Sequence, residues 1–509
     1  MIPAHLSRIV FKETILRPYP MKFLSDSETT ELRERVSMFL SQRGVQLQHP
    51  GLLEQLAGFG ARVDRSSALV RFPRELQERA LRSVPRAFSL GAPATREEPA
   101  SGNEAAVLPI PHPRGGFYVC TGTGGRGYLD PETGEYRLLT LEDVHTWGRL
   151  AGALEQIDLC AFPTPTDVPP EIVDVHALDA LLRSTSKHVW IQPHTEQTLP
   201  YLLELCAARA GGREQLKTHP LASIIACSLT PFRFKSMDME VILQACEYGL
   251  PVHASSLPVI GGTSPITPIG TVLTAAIEVL AMVIVTQLIK PGHPVFALAT
   301  ALGMDMLSGR AVKACPETMQ ANALSAQLLT EAYGLPVHTA GLSSDTFCTD
   351  GQAMVEHSLY GLMVAASGAA VLGRAGELEA AKTFSPLQLV VDDEIAAALR
   401  RVRQLQGELT LEEDSTAWTD ILAVAPGGHF LETDHTLRHC REAFAPGLFI
   451  RQSRDAWSSA GGSTLIDRAG DRCRDLLAAA GQAEIPGGRI EEMGRIVAAA
   501  DRALVPAGR

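Results

Sequence analysis

The residues best suited to chemistry follow a series of short apolar runs. After "HVWIQ" come Pro193, His194 and Glu196, and after "SIIAC" come Ser228, Thr230, Phe232 and Arg233. His253, Ser255 and Ser256 end the run "PVHASS", which leads into the loop "GGTSPITPIG" with Gly261, Gly262 and Thr263. Thr300 closes "PVFALAT". Ser343, Ser344, Asp345 and Phe347 trail "PVHTAG", and Arg374 follows "AAVLG". Hydroxyls, imidazoles and rings of this kind orient a small ligand, and glycines let it approach the backbone. No nucleophile elbow and no metal-ligand spacing accompanies them.

Three other patterns have simpler explanations. Gly122, Gly124 and Gly127 satisfy G-x-G-x-x-G, but "GYLDPETGEYRLL" after them reads as a β-hairpin turning at Pro131 to Gly134. The dinucleotide fingerprint needs a helix there. His435 and His439 are four apart, yet no H-E-x-x-H and no third ligand stands nearby. Asp392, Asp393 and Glu394 precede an Ala/Leu/Arg helix, where acidic charge favours the positive end of the helix dipole.

The elements that must position these residues repeat. From Gln156 onward the runs "IDLCAF", "HVWIQP", "ASIIACS", "PVHASS", "PVFALAT", "PVHTAG" and "AAVLG" alternate with helical patterns such as "PETMQANALSAQLLTEAYG". This is the signature of parallel strands with crossover helices. An open doubly wound sheet gives a similar pattern. Seven units in order, with room for an eighth beside the hairpin, favour an α/β fold of the (β/α)8 TIM type. Strand-end residues then converge on one mouth. Residues 1–113 read as an N-terminal helical extension and linker, 114–385 as the barrel and 386–509 as C-terminal helices packed on it. Within the extension, Leu32, Val36, Phe39 and Leu40 follow helical spacing, and Leu90 to Pro113 lacks a period. Thr140 and Asp143 read as the cap of a helix opening at Leu141.

The chain has 509 residues and a formal net charge of -12. That balance argues against a partner held by phosphate neutralisation. Nine cysteines without a C-x-x-C pair read as reduced thiols of a cytoplasmic protein. The start lacks the continuous apolar stretch of a secretory signal. The most apolar window, Thr271 to Ile289, is broken by Glu278, Thr286 and Gln287, so a buried helix is expected and no membrane partner.

Over nearly its whole length the chain resembles the trimethylamine methyltransferase family, which includes pyrrolysine-containing trimethylamine enzymes and pyrrolysine-free glycine betaine enzymes. The resemblance rests on "GVQLQHPGLLEQLAGFGARVD", "GYLDPETGEYRLLTLEDV", "VHALDALLRSTSKHVW", "SLTPFRF", "GGTSPITPIG", "IEVLAMVIVTQLIKPGHPV" and the tail from "GGHFLETDHTLRHCREAF" to "LFIRQSRDAW". It implies a barrel enzyme that moves a methyl group from a methylated amine to the cobalt of a separate corrinoid protein. The chain itself would bind no cofactor, cobalamin being supplied by that partner, and homo-oligomerisation stays open. The segment similar to the one that carries pyrrolysine, Leu342 to Gly361, contains only ordinary residues.

A tertiary amine is a poor methyl donor without activation, whereas a quaternary ammonium already has a neutral amine as its leaving group. The resemblance therefore points to a betaine-like substrate. Recognition would use rings for the cation, with Phe232, Phe347, Tyr360 and Trp190 as candidates. For the anion the candidates are His253, Arg233, His357 and the amides of Gly261 and Gly262. Asp345 reads as the cap of the next helix, and Glu356 as either charge complement or cap. Rival readings are another barrel enzyme, lyase-like, and a betaine-binding scaffold without turnover.

Overall fold

The computed structural model of the chain describes residues 21–93, 107–113, 115–408, 415–481 and 485–506. Eight parallel strands close a barrel in chain order: Tyr118–Thr121, Leu159–Ala161, His188–Ile191, Ala222–Cys227, Val252–Ser256, Val295–Ala299, Val337–Ala340 and Val371–Ala375. The strand without a place in the sequence pattern is Tyr118–Thr121, the first, lying directly before the hairpin. Alternation along each strand splits the core in two. Val189, Ile191, Ile224, Val252 and Ala254 face the surrounding helices, while Trp190, Ile225, Phe296, Leu298 and Val371 fill the interior.

The ends of the barrel differ. Most of the expected linker, 94–106, lies outside the described residues, but its flanks pair as Phe88–Leu90 with Leu108–Ile110. Leu90 and Ile110 belong to the interior core, so this ribbon closes the amino-terminal end. At the opposite end Gly127–Leu129 and Tyr136–Leu138 form the expected hairpin. Thr383–Phe384 pairs with Gly127–Leu129, and Glu377–Leu378 pairs in turn with Thr383–Phe384. The loops after the first and last strands are thus one rim sheet. Thr140 and Asp143 make a capping box for the helix Leu141–Ala153.

The N-terminal extension holds the helices Asp26–Gln42, Pro50–Phe59 and Arg74–Arg82, with Leu32, Val36 and Leu40 buried on one face of the first. Its strand Val45–Leu47 pairs with Arg233–Phe234, just beyond the fourth barrel strand. The apolar helix Pro268–Ile289 is long and apolar enough to cross a membrane, but nearly all of its residues are buried among barrel strands and neighbouring helices. The helices Leu465–Ala479 and Gly487–Leu504 pack on the outer helices of the barrel.

The acidic cluster does not serve a helix start. The helix begins at Pro386, so Asp392, Asp393 and Glu394 lie inside it, each holding a different segment. Asp392 accepts from Gly376 N at 2.6 Å, Asp393 from Gln156 N at 2.6 Å, and Glu394 from the amides of Gly447 and Leu448. Buried carboxylates need such donors, and these supply them.

Candidate functional site

Four loops at the carboxyl end of the barrel bring buried charge together. Glu377, from the loop after the eighth strand, is fully buried. Its Oε1 accepts from Thr123 N at 2.6 Å and from Arg374 at 3.3 Å. Among the described residues its Oε2 has no hydrogen bond, and it faces Lys313 Nζ at 3.9 Å. Lys313 comes from the loop after the sixth strand and is also buried. The seventh loop contributes Asp345, which accepts from the backbone of Lys313 at 2.8 Å and of Ala314 at 2.9 Å, joining the two loops.

Local geometry has been given over to this cluster. Arg374 adopts a φ of 84°, a left-handed conformation that a non-glycine residue holds only when its surroundings impose it. A Cβ on Gly122 would lie 2.0 Å from Glu377 Cγ, so glycine is what admits the carboxylate. Burial and the Arg374 guanidinium push the Lys313 ammonium down to about 7, against the pull of Glu377 and Asp345. Ser343 Oγ, beside Glu377 through a backbone bridge, is likewise buried without a partner among the described residues. Buried polar atoms left this way at a barrel mouth make this cluster the candidate place for a ligand.

Beneath the cluster the interior is walled by rings. Trp190 lies edge-on to His338 at 5.1 Å and to His253 at 5.8 Å, and its indole nitrogen has no partner among the described residues. His253 stacks on Phe296 at 4.4 Å, because the two face each other on neighbouring strands. A hydrogen-bonded chain runs through these imidazoles. His188 Nδ1 meets Gly91 O at 2.8 Å, and Ser223 Oγ lies 3.0 Å from His188 Nε2 and 2.9 Å from His253 Nε2. His253 Nδ1 lies 3.2 Å from His338 Nδ1.

Burial lowers all three, to about 4 for His188, well below the usual value for His253 and to about 3 for His338, so the rings are neutral. The carbonyl of Gly91 can only accept. His188 therefore donates from Nδ1, Ser223 donates to His188 and accepts from His253, and His338 donates to His253. The chain ends on the lone pair of His338 Nε2, only 2.7 Å from where a Cβ on Gly373 would stand.

The depressed imidazoles make stability depend on pH. An unfolded imidazole takes up a proton below about 6.5, while folded His188 stays neutral to about 4. Its contribution is complete above pH 6.5 and falls away as pH drops through 4. His188→Gln removes that linkage, so its stability gap to wild type should close by about 1.4 kcal/mol per pH unit between pH 6 and 4.5. Denaturant unfolding across that range checks it, and a gap that stays constant would contradict it.

A second carboxylate organises the fourth and fifth loops. Glu278, fully buried on Pro268–Ile289, accepts from Ser228, from Thr230 at 2.8 Å, from Phe232 N at 2.7 Å and from Ser256 at 2.6 Å. Three of the hydroxyls expected to face a ligand are thereby engaged. Phe232, at φ 56°, packs on Phe39 of the N-terminal extension with centroids 4.5 Å apart. Arg233 is exposed in the strand beside Val45–Leu47.

Other expected residues are also placed elsewhere. The Gly261 amide donates to Ser264 O and that of Gly262 to Val259 O, so neither is open to an anion. His253 has both nitrogens engaged in the chain. His357 is buried on Gly351–Ala366 with Nδ1 2.7 Å from Asp392 Oδ1, behind the barrel wall. Tyr360 is buried there too, bonded to Asn322. His357→Asn should therefore lower the melting temperature while leaving KM for a substrate within about twofold, since a buried hydrogen bond is lost away from the mouth. A large KM increase at unchanged stability would place His357 in the site after all. Asp345 is not the helix cap, a role taken by Asp350, which accepts from Gln352 N and Ala353 N. Glu356 accepts from Ser344 and from Asp345 N at 3.0 Å, bracing the seventh loop.

Phe347 is exposed at the rim, beneath the Arg310 guanidinium at 5.8 Å. There the loops after the sixth, seventh and eighth strands enclose a cavity of about 390 Å³ that includes Asp345, Phe347 and Lys382. Lys313 and Glu377 are the additions that sequence reasoning lacked. The only available signal for Glu377 was a carboxylate three residues past Arg374 at the last strand end.

A family profile described as trimethylamine methyltransferase (MTTB) matches residues 5–504. Trimethylamine methyltransferase MttB of Desulfitobacterium hafniense (strain DSM 10664 / DCB-2) is 31% identical over 454 residues, covering 89% of this chain and 88% of that protein. Glycine betaine methyltransferase of Desulfitobacterium hafniense (strain Y51) is 28% identical over 439 residues, covering 86% and 88%. The crystal structure of the Methanosarcina barkeri monomethylamine methyltransferase (MtmB) aligns over 89% of this chain and 92% of that one, with a TM-score of 0.47 and 14% identity.

Proposed function

The chain belongs to the trimethylamine methyltransferase family, and from that premise we propose that it takes a methyl group from a betaine, a quaternary ammonium carboxylate, and delivers it to the reduced corrinoid of a separate protein. The observation that carries the betaine reading is the pairing of opposite charges at the mouth, Lys313 and Arg374 against Glu377 and Asp345. A zwitterion offers both signs. Trimethylamine offers only one. The ordinary side chains of residues 342–361 support the same choice, since a quaternary nitrogen needs no further activation to leave as a neutral amine.

The reduced corrinoid supplies the nucleophile and accepts the methyl group, so the protein needs no general base for that step. Its own task is to bind, orient and keep water away. Arg374 is the fork-shaped donor for the substrate carboxylate. The unpartnered Glu377 Oε2 and the Trp190 and His338 rings supply negative charge and π density to an ammonium that has no N–H to donate. Leu229, Ile266, Met306, Leu307 and Phe347 are exposed on the loops around this end of the barrel. An apolar rim of this kind suits a docking protein that brings the acceptor to the mouth.

The test is anaerobic incubation with cob(I)alamin and a panel of betaines, following the cobalt(I) absorbance. Loss of the band with a betaine and none with trimethylamine is expected. Loss with trimethylamine alone would overturn the substrate, and betaine binding without any loss would leave a scaffold.

A further inference from the structure

We infer that Lys313 is the acid that protonates the tertiary amine as it forms, so that methyl transfer runs one way within the site. The inference rests on the betaine reading above. Lys313 is 4% exposed, and among the described residues its ammonium makes no hydrogen bond. Its nearest partner, Glu377 Oε2, is 3.9 Å away and is itself without one. A buried ammonium and a buried carboxylate oxygen, each lacking a hydrogen bond among the described residues, stand 3.9 Å apart, and the substrate nitrogen is proposed to sit against both rather than between them. Structural ion pairs close such gaps, because an unmet buried charge is costly.

The chemistry of the substrate supplies the need. When the N–CH3 bond breaks, its electron pair stays on nitrogen, and the new neutral amine is a nucleophile that can take the methyl group back. Transfer of a proton from Lys313 Nζ to that lone pair ends its nucleophilicity and restores the cation that Glu377 holds. Lys313 is left neutral beside Arg374, where like-charge repulsion favours neutrality, and regains a proton from solvent through the mouth. The groups facing Lys313 are Arg374 from the eighth strand, Glu377 from the loop after it and Asp345 from the seventh loop. Glu356 stands behind Asp345, and neutral His338 lies in the strand below. Burial and Arg374 bring the ammonium down to about 7, within reach of donating near neutral pH.

The experiment compares two pH profiles of the holo reaction, with cob(I)alamin and the betaine that wild type converts. Steady-state turnover, which requires protonated Lys313, should fall as pH rises through about 7, while the rate of a single enzyme-excess turnover should not show that inflection. In Lys313→Met the inflection should vanish, with steady-state turnover at pH 6 falling on the order of tenfold more than the single-turnover rate. In Lys313→Ala, added propylammonium should restore turnover. Coincident wild-type profiles, an inflection retained in Lys313→Met, or equal losses in both rates with an unchanged melting curve would each overturn the proposal. The wild-type comparison needs no variant, so misfolding cannot hide the answer. Absence of any cobalt(I) loss in wild type would instead sink the betaine reading itself.

Discussion

Glu377→Gln is expected to raise KM for a betaine about 100-fold without lowering kcat. The side chain keeps its size, and the amide oxygen can still accept from Thr123 N, so the loop should hold. What changes is the charge. Arg374 and Lys313 lose their shared counter-ion, and the substrate ammonium meets two cations without the carboxylate between them. Removing one member of a buried charge pair costs about 2–5 kcal/mol, and 100-fold corresponds to about 2.7 kcal/mol. The effect belongs in KM because the nitrogen loses its positive charge on the way to the transition state. Glu377 therefore holds the bound substrate more strongly than the reacting one. Steady-state kinetics beside a melting curve check this, and an unchanged KM in a folded variant would separate Glu377 from the cation. The same substitution removes a group that raises the Lys313 ammonium, so the pH inflection should move lower.

Glu278→Ala is expected to cost about 4 kcal/mol of stability and to loosen the fourth loop. The substitution strands the hydroxyls of Ser228, Thr230 and Ser256 and the amide of Phe232, all held by one carboxylate. Each stranded buried donor costs about 1–3 kcal/mol, reduced where a hydroxyl rotates or water enters. The disturbance should spread along Arg233–Phe234 to its pairing with Val45–Leu47, so cleavage of native protein after Arg233 or Lys235 should accelerate. Glu278→Gln should lose less, because hydroxyls can turn to donate or accept whereas the Phe232 amide can only donate. A measured loss below about 1 kcal/mol in Glu278→Ala would mean that the four bonds are not holding the loop.

Seven of the eight barrel strands were legible because parallel strands buried on both faces read as short apolar runs between helical patterns. Tyr118–Thr121 was hidden by its neighbours, since Gly122, Gly124 and Gly127 match the spacing of a ligand loop, whereas Gly122 and Gly125 make room for Glu377 and Phe384. The start of Pro386–Glu408 was misplaced for a related reason. Three consecutive acids resemble a helix entrance, and only the fold shows each paired with a different distant segment.

The candidate cluster keeps Arg374, which the sequence places at the last strand end, and the interior ring Trp190, which it offers for a cation, whereas Asp345 reads in the sequence as a helix cap and instead joins two loops. The sequence pattern failed in two further directions. Glu356, His357 and Tyr360 are close in sequence to the seventh loop, but the helix that carries them turns His357 and Tyr360 toward neighbouring helices. Lys313 and Glu377 lie in separate loops with no local pattern, and a rim sheet and one aspartate bring them together. Pairing across loops is a tertiary property that spacing does not encode.

The most direct test of the account follows the methyl group itself. With reduced cobalamin and a betaine carrying trideuterated N-methyl groups, the protein should yield deuterated methylcobalamin and the corresponding tertiary amine in equal amounts. Methylcobalamin formed without that amine, or no methylcobalamin from any betaine while a parallel incubation with trimethylamine yields it, would contradict it.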